Sequence, residues 1–367
     1  MAFLRVLGGD MLPIAELDNV GELEYTRRFF EPGAWAVQLP YFDGALDIIS
    51  RGVYFLVEGD PAGACLLERV EIEDGEAPTI SLSGTTLSGV LGRRIILPLD
   101  GDNFQRVVEQ PAESIMHEFV NMQAIAPRDE RRRMEELQAA QDLRRGVTAS
   151  WRATLWDRLT EVLTDIGVFA GLGYNVRLEL PQRKWLFEVL EGRELSAGKP
   201  DQRRPIVVFG AGLDNLGRVV FEENRAEHKN AVYALSGNVE ANEFVVILAR
   251  GEGRGSELRE VFHNASSMAE DTAQLGMVAG MRLRDLALQP TITGDVLDTA
   301  SFRYKKDWDL GDIVTVVHDS AGKVIHQRIT EVTQVFTQNA NKLQVRFGTD
   351  HADPVRLIKR MKRSTRV

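Results

Sequence analysis

Short apolar runs separated by glycine and aspartate turns dominate residues 1–112. The run WAVQL at 35–39 alternates apolar with polar and stops at Pro40, while VYFLV at 53–57 is continuously apolar and is followed by the turn EGDP. Residues 65–72, the turn EDGE and residues 79–82 continue the series, a spacing that suits a small antiparallel β-barrel. The run RRIILP at 93–98 closes the region, its paired Arg93 and Arg94 facing either a partner or solvent.

From about residue 104 the period becomes helical. Pro111 stands where a first helical turn begins, predicting a helix over 112–124, and Pro127 opens a second over 129–145 that ends at Gly146. That second helix is crowded with Arg and Glu and reads as a solvated connector. A third is capped by Ser150, with Leu155, Leu159, Val162, Leu163 and Ile166 as one apolar stripe and Trp156 beside it. Strands then follow at 174–180, 185–190, 206–209, 218–222 and 230–236.

Between two of these strands lies FGAGLDNLG, at 209–217. A dinucleotide fingerprint requires glycine at 215, where Asn215 stands, and a helix after it, where a strand is predicted, so the segment reads as a hairpin. In 238–289 the run FVVILA is a candidate buried strand, GEGRGS a connecting loop and 267–288 a helix, together an inserted α/β domain. Near the C-terminus YKKDWDLGDIVTVV, at 304–317, is a turn feeding a strand. Gly311 allows a positive φ, while Asp309 and Asp312 can bond nearby amides. A loop at 319–323, a returning strand at 324–332 and an alternating strand at 342–347 complete an antiparallel sheet.

Composition narrows the function. A formal charge of −10 argues against a general nucleic-acid binder, which needs a basic surface to displace counterions. The single Cys65 forms no internal disulfide and reads as packed. The N-terminal apolar run is too short for a secretion signal and no span reaches membrane length. Six basic residues stand among the last twelve, which either dock electrostatically or form a solvated terminus.

Catalytic signatures are missing from the chain. Asp307, Asp309 and Gly311 begin like a calcium loop, but the glycine comes one place early and His318 stands where a bidentate Glu is required. The six histidines are scattered without zinc spacing, no Gly-x-Ser-x-Gly elbow occurs, and the Gly251–Ser256 stretch lacks a phosphate loop's Lys-Ser/Thr ending. No catalytic residue, cofactor or metal is therefore expected.

The ordered set EPGAWAVQLP (31–40), ISLSG (80–84), RRII (93–96), FEVLEG (187–192), VVF with Asn215 and Leu216, KNA through Gly237, LREVF (258–262), 304–316 and RITEV (328–332) resembles the minor tail or tail-hub proteins of siphoviruses. These are similar in architecture to the myovirus baseplate hub. Family-matching positions are Pro40, Arg94, Gly192, Asn215, Asn230, Gly237, Tyr304, Asp309, Gly311 and Asp312. The chain departs from the pattern at Arg193-Glu194 and at His263-Asn264-Ala265.

The resemblance implies a mainly β, multidomain α+β chain with two related antiparallel β-barrel domains of the tail-tube type. The first spans 1–112 and the second is split between 185–237 and 290–350. A helical or mixed domain occupies 113–184, the α/β insertion 238–289 and a basic tail 351–367. It further implies a non-enzymatic virion protein, assembled in the host cytoplasm as a homotrimer without membrane insertion. Such a hub adapts the hexameric tail tube to a trimeric tip, contacts the tube protein, the distal tail protein and spike or fibre proteins, and lets viral DNA pass its lumen without specific binding. Two other readings carry different signatures: a tail-associated cell-wall hydrolase, and a receptor- or carbohydrate-binding tail module.

Overall fold

The computed structural model describes residues 3–97, 104–200, 203–223, 225, 228–238, 243–265, 272–288, 290–297, 302–337 and 340–348. The predicted basic tail lies outside them. In chain order the strands begin with β1 (Leu4–Leu7), β2 (Pro13–Leu17), β3 (Glu22–Arg28), β4 (Ala34–Pro40), β5 (Tyr54–Val57), β6 (Ala64–Glu73) and β7 (Thr79–Thr86). Next come β8 (Phe104–Pro111), β9 (Leu137–Ala139), β10 (Thr148–Thr154), β11 (Gly173–Glu179), β12 (Lys184–Leu190), β13 (Val208–Gly210) and β14 (Leu216–Glu222). The last are β15 (Ala231–Asn238), β16 (Glu243–Arg250), β17 (Glu260–Asn264), β18 (Thr291–Val296), β19 (Ile313–His318), β20 (Lys323–Thr337) and β21 (Asn341–Phe347). The helices are α1 (Ala45–Arg51), α2 (Ala112–Val120), α3 (Leu159–Ala170) and α4 (Thr272–Asp285).

The fold is mainly β, built on one large, mostly antiparallel sheet with few helices. Its path runs β14-β18-β21-β20-β3-β4-β7-β6-β5-β1-β2, with β19 paired to β20 and β13 to β19. This corrects the expectation of two separate barrels: among the described strands no barrel closes. The physical reason is the 15-residue β20. Its first six residues pair with β19, its last seven with β3, and β21 follows its other edge. The edge of β3 that a closed N-terminal barrel would need is thus already taken, and Phe336 of β20 packs in the same core as Leu4, Leu23, Trp35, Val37, Phe55, Ile80 and Leu82.

Alternation accounts for the strands that the sequence predicts. In β4 Trp35, Val37 and Leu39 are buried while Ala36 and Gln38 are exposed, and in β21 Val345 and Phe347 are buried. Cys65 lies wholly buried in β6, where burial pushes its thiol well up.

Residues 113–184 are less helical than expected. α2 follows Pro111 and runs into a π-helical turn, Asn121–Ile125. The helix expected over 129–145 is instead a 3-10 turn, Glu130–Arg132, followed by extended chain and β9. Two of its arginines are engaged elsewhere. Arg132 donates to Ile95 O at 2.6 Å, and Arg145 grips the buried Glu113 carboxylate at 2.8 Å. With few apolar positions to bury along a helix, the chain adds β9 in parallel to β12. Ser150 is not a helix cap either. It lies in β10, where Ala149, Trp151 and Ala153 are the buried alternates, and α3 starts only at Leu159. Leu159, Val162, Leu163 and Ile166 are buried as expected, whereas Trp156 is 62% exposed.

The FGAGLDNLG segment is a turn but not a hairpin. β13 pairs in parallel with β19, and β14 lies beside β18. Asn215 closes the turn itself, accepting from Gly210 N at 2.9 Å and donating to Val208 O at 2.8 Å.

A second compact unit is formed by the described residues within 220–292. Its sheet is ordered β16-β15-β17, with Ala234, Leu275, Val278 and Ala279 forming a small core against Ile247 and Ala249. The FVVILA strand is therefore not buried as expected. As β16 it is an edge strand whose Ile247 and Ala249 pack against the small core, while Phe244, Val245, Val246 and Leu248 are 41%, 49%, 46% and 39% exposed.

His263 in β17 is held neutral by burial, reinforced by Arg282, and its pKa falls to about 4. The unfolded chain titrates near the ordinary value of 6.5. Between those values the unfolded state binds a proton that the folded state refuses. Stability of this unit is thus full above about pH 6.5, falls as pH drops to about 4 by at most roughly 3 kcal/mol, and levels off below. Amide exchange of β15 followed against pH is expected to show that slope in the native protein and to lose it in His263→Gln; a parent protein with no slope refutes it.

Candidate functional site

Five of the family-matching positions meet at one place. Gly311 adopts φ +92, in the region where a side chain is strained, and turns the chain into β19. Leu310 N donates to Asp309 Oδ1 at 2.7 Å, and Asp309 N donates to Asp312 Oδ2 at 2.8 Å. The buried Asp312 carboxylate also receives Arg193 N at 2.7 Å, and the Arg193 side chain through Nη2 at 2.6 Å and Nε at 3.1 Å. This hydrogen bonding holds the Arg193 guanidinium above its ordinary pKa, against the opposing effect of burial. Ile313 N donates to Arg193 O at 2.8 Å, tying the 190s segment to the head of β19.

Gly192 fits because it has no side chain: a Cβ there would lie 1.6 Å from Gly311 O. That carbonyl receives Arg328 Nη1 at 2.5 Å. The Arg328 guanidinium, held below its ordinary pKa by burial, stacks 5.0 Å from the Phe29 ring centre. On the other side Arg27 Nη1 donates to Tyr304 Oη at 2.7 Å and to Asp309 Oδ1 at 2.8 Å. Burial lowers the Arg27 pKa, but Tyr304 and Asp309 outweigh it and the net shift is upward. Burial pushes the Tyr304 hydroxyl up to about 12. Lys305 reaches Asp60 at 2.6 Å.

The arrangement is a clamp. Its arginines and aspartates pair within the chain, and it joins β3, the 190s segment, the 304–312 turn and β20. Among the described residues no group of three or more His, Cys, Asp or Glu side chains is placed to hold a metal ion. Sequence reasoning missed Arg27, Phe29, Arg193 and Arg328. Of these, Arg193 carried a signal as a departure from the family pattern and Arg328 as the first residue of the RITEV match.

The other positions hold local structure separately. Pro40 ends β4 opposite Thr79. Arg94 Nε donates to Arg132 O at 2.8 Å. Asn215 closes its turn as described above. In the second unit Asn230 Nδ2 donates to Glu252 O at 2.7 Å and its Oδ1 receives Arg259 N at 2.7 Å, fixing the glycine-rich loop. Gly237 lies in β15 opposite Phe244. No helix among the described residues is long and apolar enough to cross a membrane.

The chain has the fold of phage tail proteins. It resembles the tail protein from Neisseria meningitidis MC58 with a TM-score of 0.60 at 14% identity, covering 95% of this chain and 97% of that one. The 43 kDa tail protein of prophage MuSo2 from Shewanella oneidensis gives 0.60 at 12%, covering 94% and 97%. Prophage tail protein gp18 from Listeria monocytogenes EGD-e gives 0.56 at 8%, covering 98% of each. Residues 3–349 match the model of the Siphovirus ReqiPepy6 Gp37-like protein family, and the chain belongs to that family. A comparison with curated protein sequences returns no match.

Proposed function

We propose that this tail protein is the hub at the distal end of the tail, a structural homotrimer rather than an enzyme. It adapts the sixfold tail tube to a threefold tip, spike or fibre assembly. The strand-rich regions 1–112 and 185–237 with 290–350 each serve as one tube-type unit, so three chains present six. What supports the reading is that strands from both ends of the chain meet on the shared β20, alongside a fold matched end to end by tail proteins. Edge strands at β2 and β14 are covered when chains associate into a ring. The acidic charge of −10 suits a lumen past which DNA slides without being held.

Tube protein, distal tail protein and spike or fibre proteins are the expected neighbours, in a particle put together in the host cytoplasm. Native mass measurement of the purified chain, with electron microscopy of the assembled tail, tests this. The expected result is a mass of three protomers and a ring at the tail tip. A chain that stays monomeric and clears peptidoglycan, with clearing abolished by a single Asp, Glu or His substitution, overturns it.

A further inference from the structure

β6 outruns one of its neighbours. β5 pairs only with Ala64, Cys65 and Leu66, whereas β7 accompanies β6 as far as Glu73. Residues 68–73 thus have β7 on one side and, among the described residues, no strand on the other. Val70 stands opposite Leu82 and Ile72 opposite Ile80, and cross-strand partners share a face of the sheet. Leu82 and Ile80 are 1% and 0% exposed in the core, yet Val70 and Ile72 are 42% and 41% exposed. The core-facing row therefore continues into solvent along an open edge. Such an edge, with uncovered aliphatic side chains, is a template for one more strand.

Charge selects the occupant. Glu68, Glu71 and Glu73 lie on the strand, and Asp74 and Glu76 in its turn. The one cation among them, Arg69, is engaged by Glu71 at 2.7 Å. A second copy of this edge would be repelled by like charges. We propose that residues 68–73 dock an extended basic segment of another protein by strand addition. Aliphatic residues at alternate positions of that segment extend the row of Val70 and Ile72, and Lys or Arg between them meet the carboxylates.

The test uses the full-length protein and a fluorescent synthetic peptide, Lys-Val-Lys-Ile-Lys-Val-Lys, read by anisotropy. Two control peptides accompany it: one of the same composition with the lysines grouped, and one N-methylated at alternate amides. The expected result is binding about tenfold tighter than either control, lost by about tenfold in Val70→Thr/Ile72→Thr, with slowed amide exchange in 68–73. Threonine keeps the β-branched shape, so the variant retains its strand. Equal binding by the grouped or N-methylated peptide reduces the effect to charge alone and overturns the proposal. Undiminished binding to the variant, or exchange protection elsewhere, overturns it too.

Discussion

Gly192→Ala is expected to destabilise the protein by about 4 kcal/mol or more, enough to remove most soluble folded chain. The added methyl would lie 1.6 Å from Gly311 O, 2.2 Å from Gly311 C and 2.7 Å from Arg328 Nη1. Gly311 has nowhere to retreat. A Cβ on Gly311 itself would meet Phe29 Cε2 at 2.2 Å, so the Phe29 ring already closes that side. Its N–H donates to Ile329 O at 2.8 Å and its carbonyl is held by Arg328. Relief requires pulling the 190s segment away from the 309–313 turn, which breaks the Ile313 N to Arg193 O bond and loosens the Arg193 to Asp312 pairing. Each buried bond lost costs about 1 kcal/mol and the overpacking another 1–3. Denaturant midpoints measure the effect, with Gly75→Ala as control: nothing lies within 4 Å of that position. Equal midpoints for the two variants would show that the close approach at Gly192 does not govern stability.

How much of this was legible in the sequence depends on whether a signal was local. Period-two burial in β4 and β21, the Gly311 turn and the buried stripe of α3 all arise from residues near one another in the chain, and each is visible in the sequence. The union of the two strand-rich regions was not, because it rests on β20 pairing with β3 across some 300 positions, as in the Thr26 to Thr333 hydroxyl contact at 2.9 Å. Arginine misled in one stretch. The guanidinium groups of 129–145 read as solvated, yet Arg132 donates to a backbone carbonyl and Arg145 to a buried carboxylate, both from distant segments. The glycine at 192 was found only through resemblance; its physical reason, the carbonyl of Gly311 against its Cα, belongs to tertiary packing.

Asp312→Ala is expected to cost about 3–5 kcal/mol, because it strands charge and donors rather than merely deleting a contact. The carboxylate is 3% exposed and takes Arg193 N, the Arg193 fork and Asp309 N together. Removing it leaves two backbone amides and a guanidinium without their acceptor, in a pocket with Arg328 close by on Gly311 O. Asp312→Asn keeps one acceptor oxygen but turns an amide NH2 toward a donor, so its cost is expected to fall between alanine and the parent. Arg193→Ala takes away the cation while leaving both backbone donors on the carboxylate. The double variant Arg193→Ala/Asp312→Ala should therefore be more stable than the sum of the single losses predicts, by about 1–3 kcal/mol. Chemical denaturation of the four proteins closes the cycle. A coupling near zero would mean that the two backbone amides alone seat Asp312, and that the turn into β19 is held by the chain's own hydrogen bonds rather than by the ion pair.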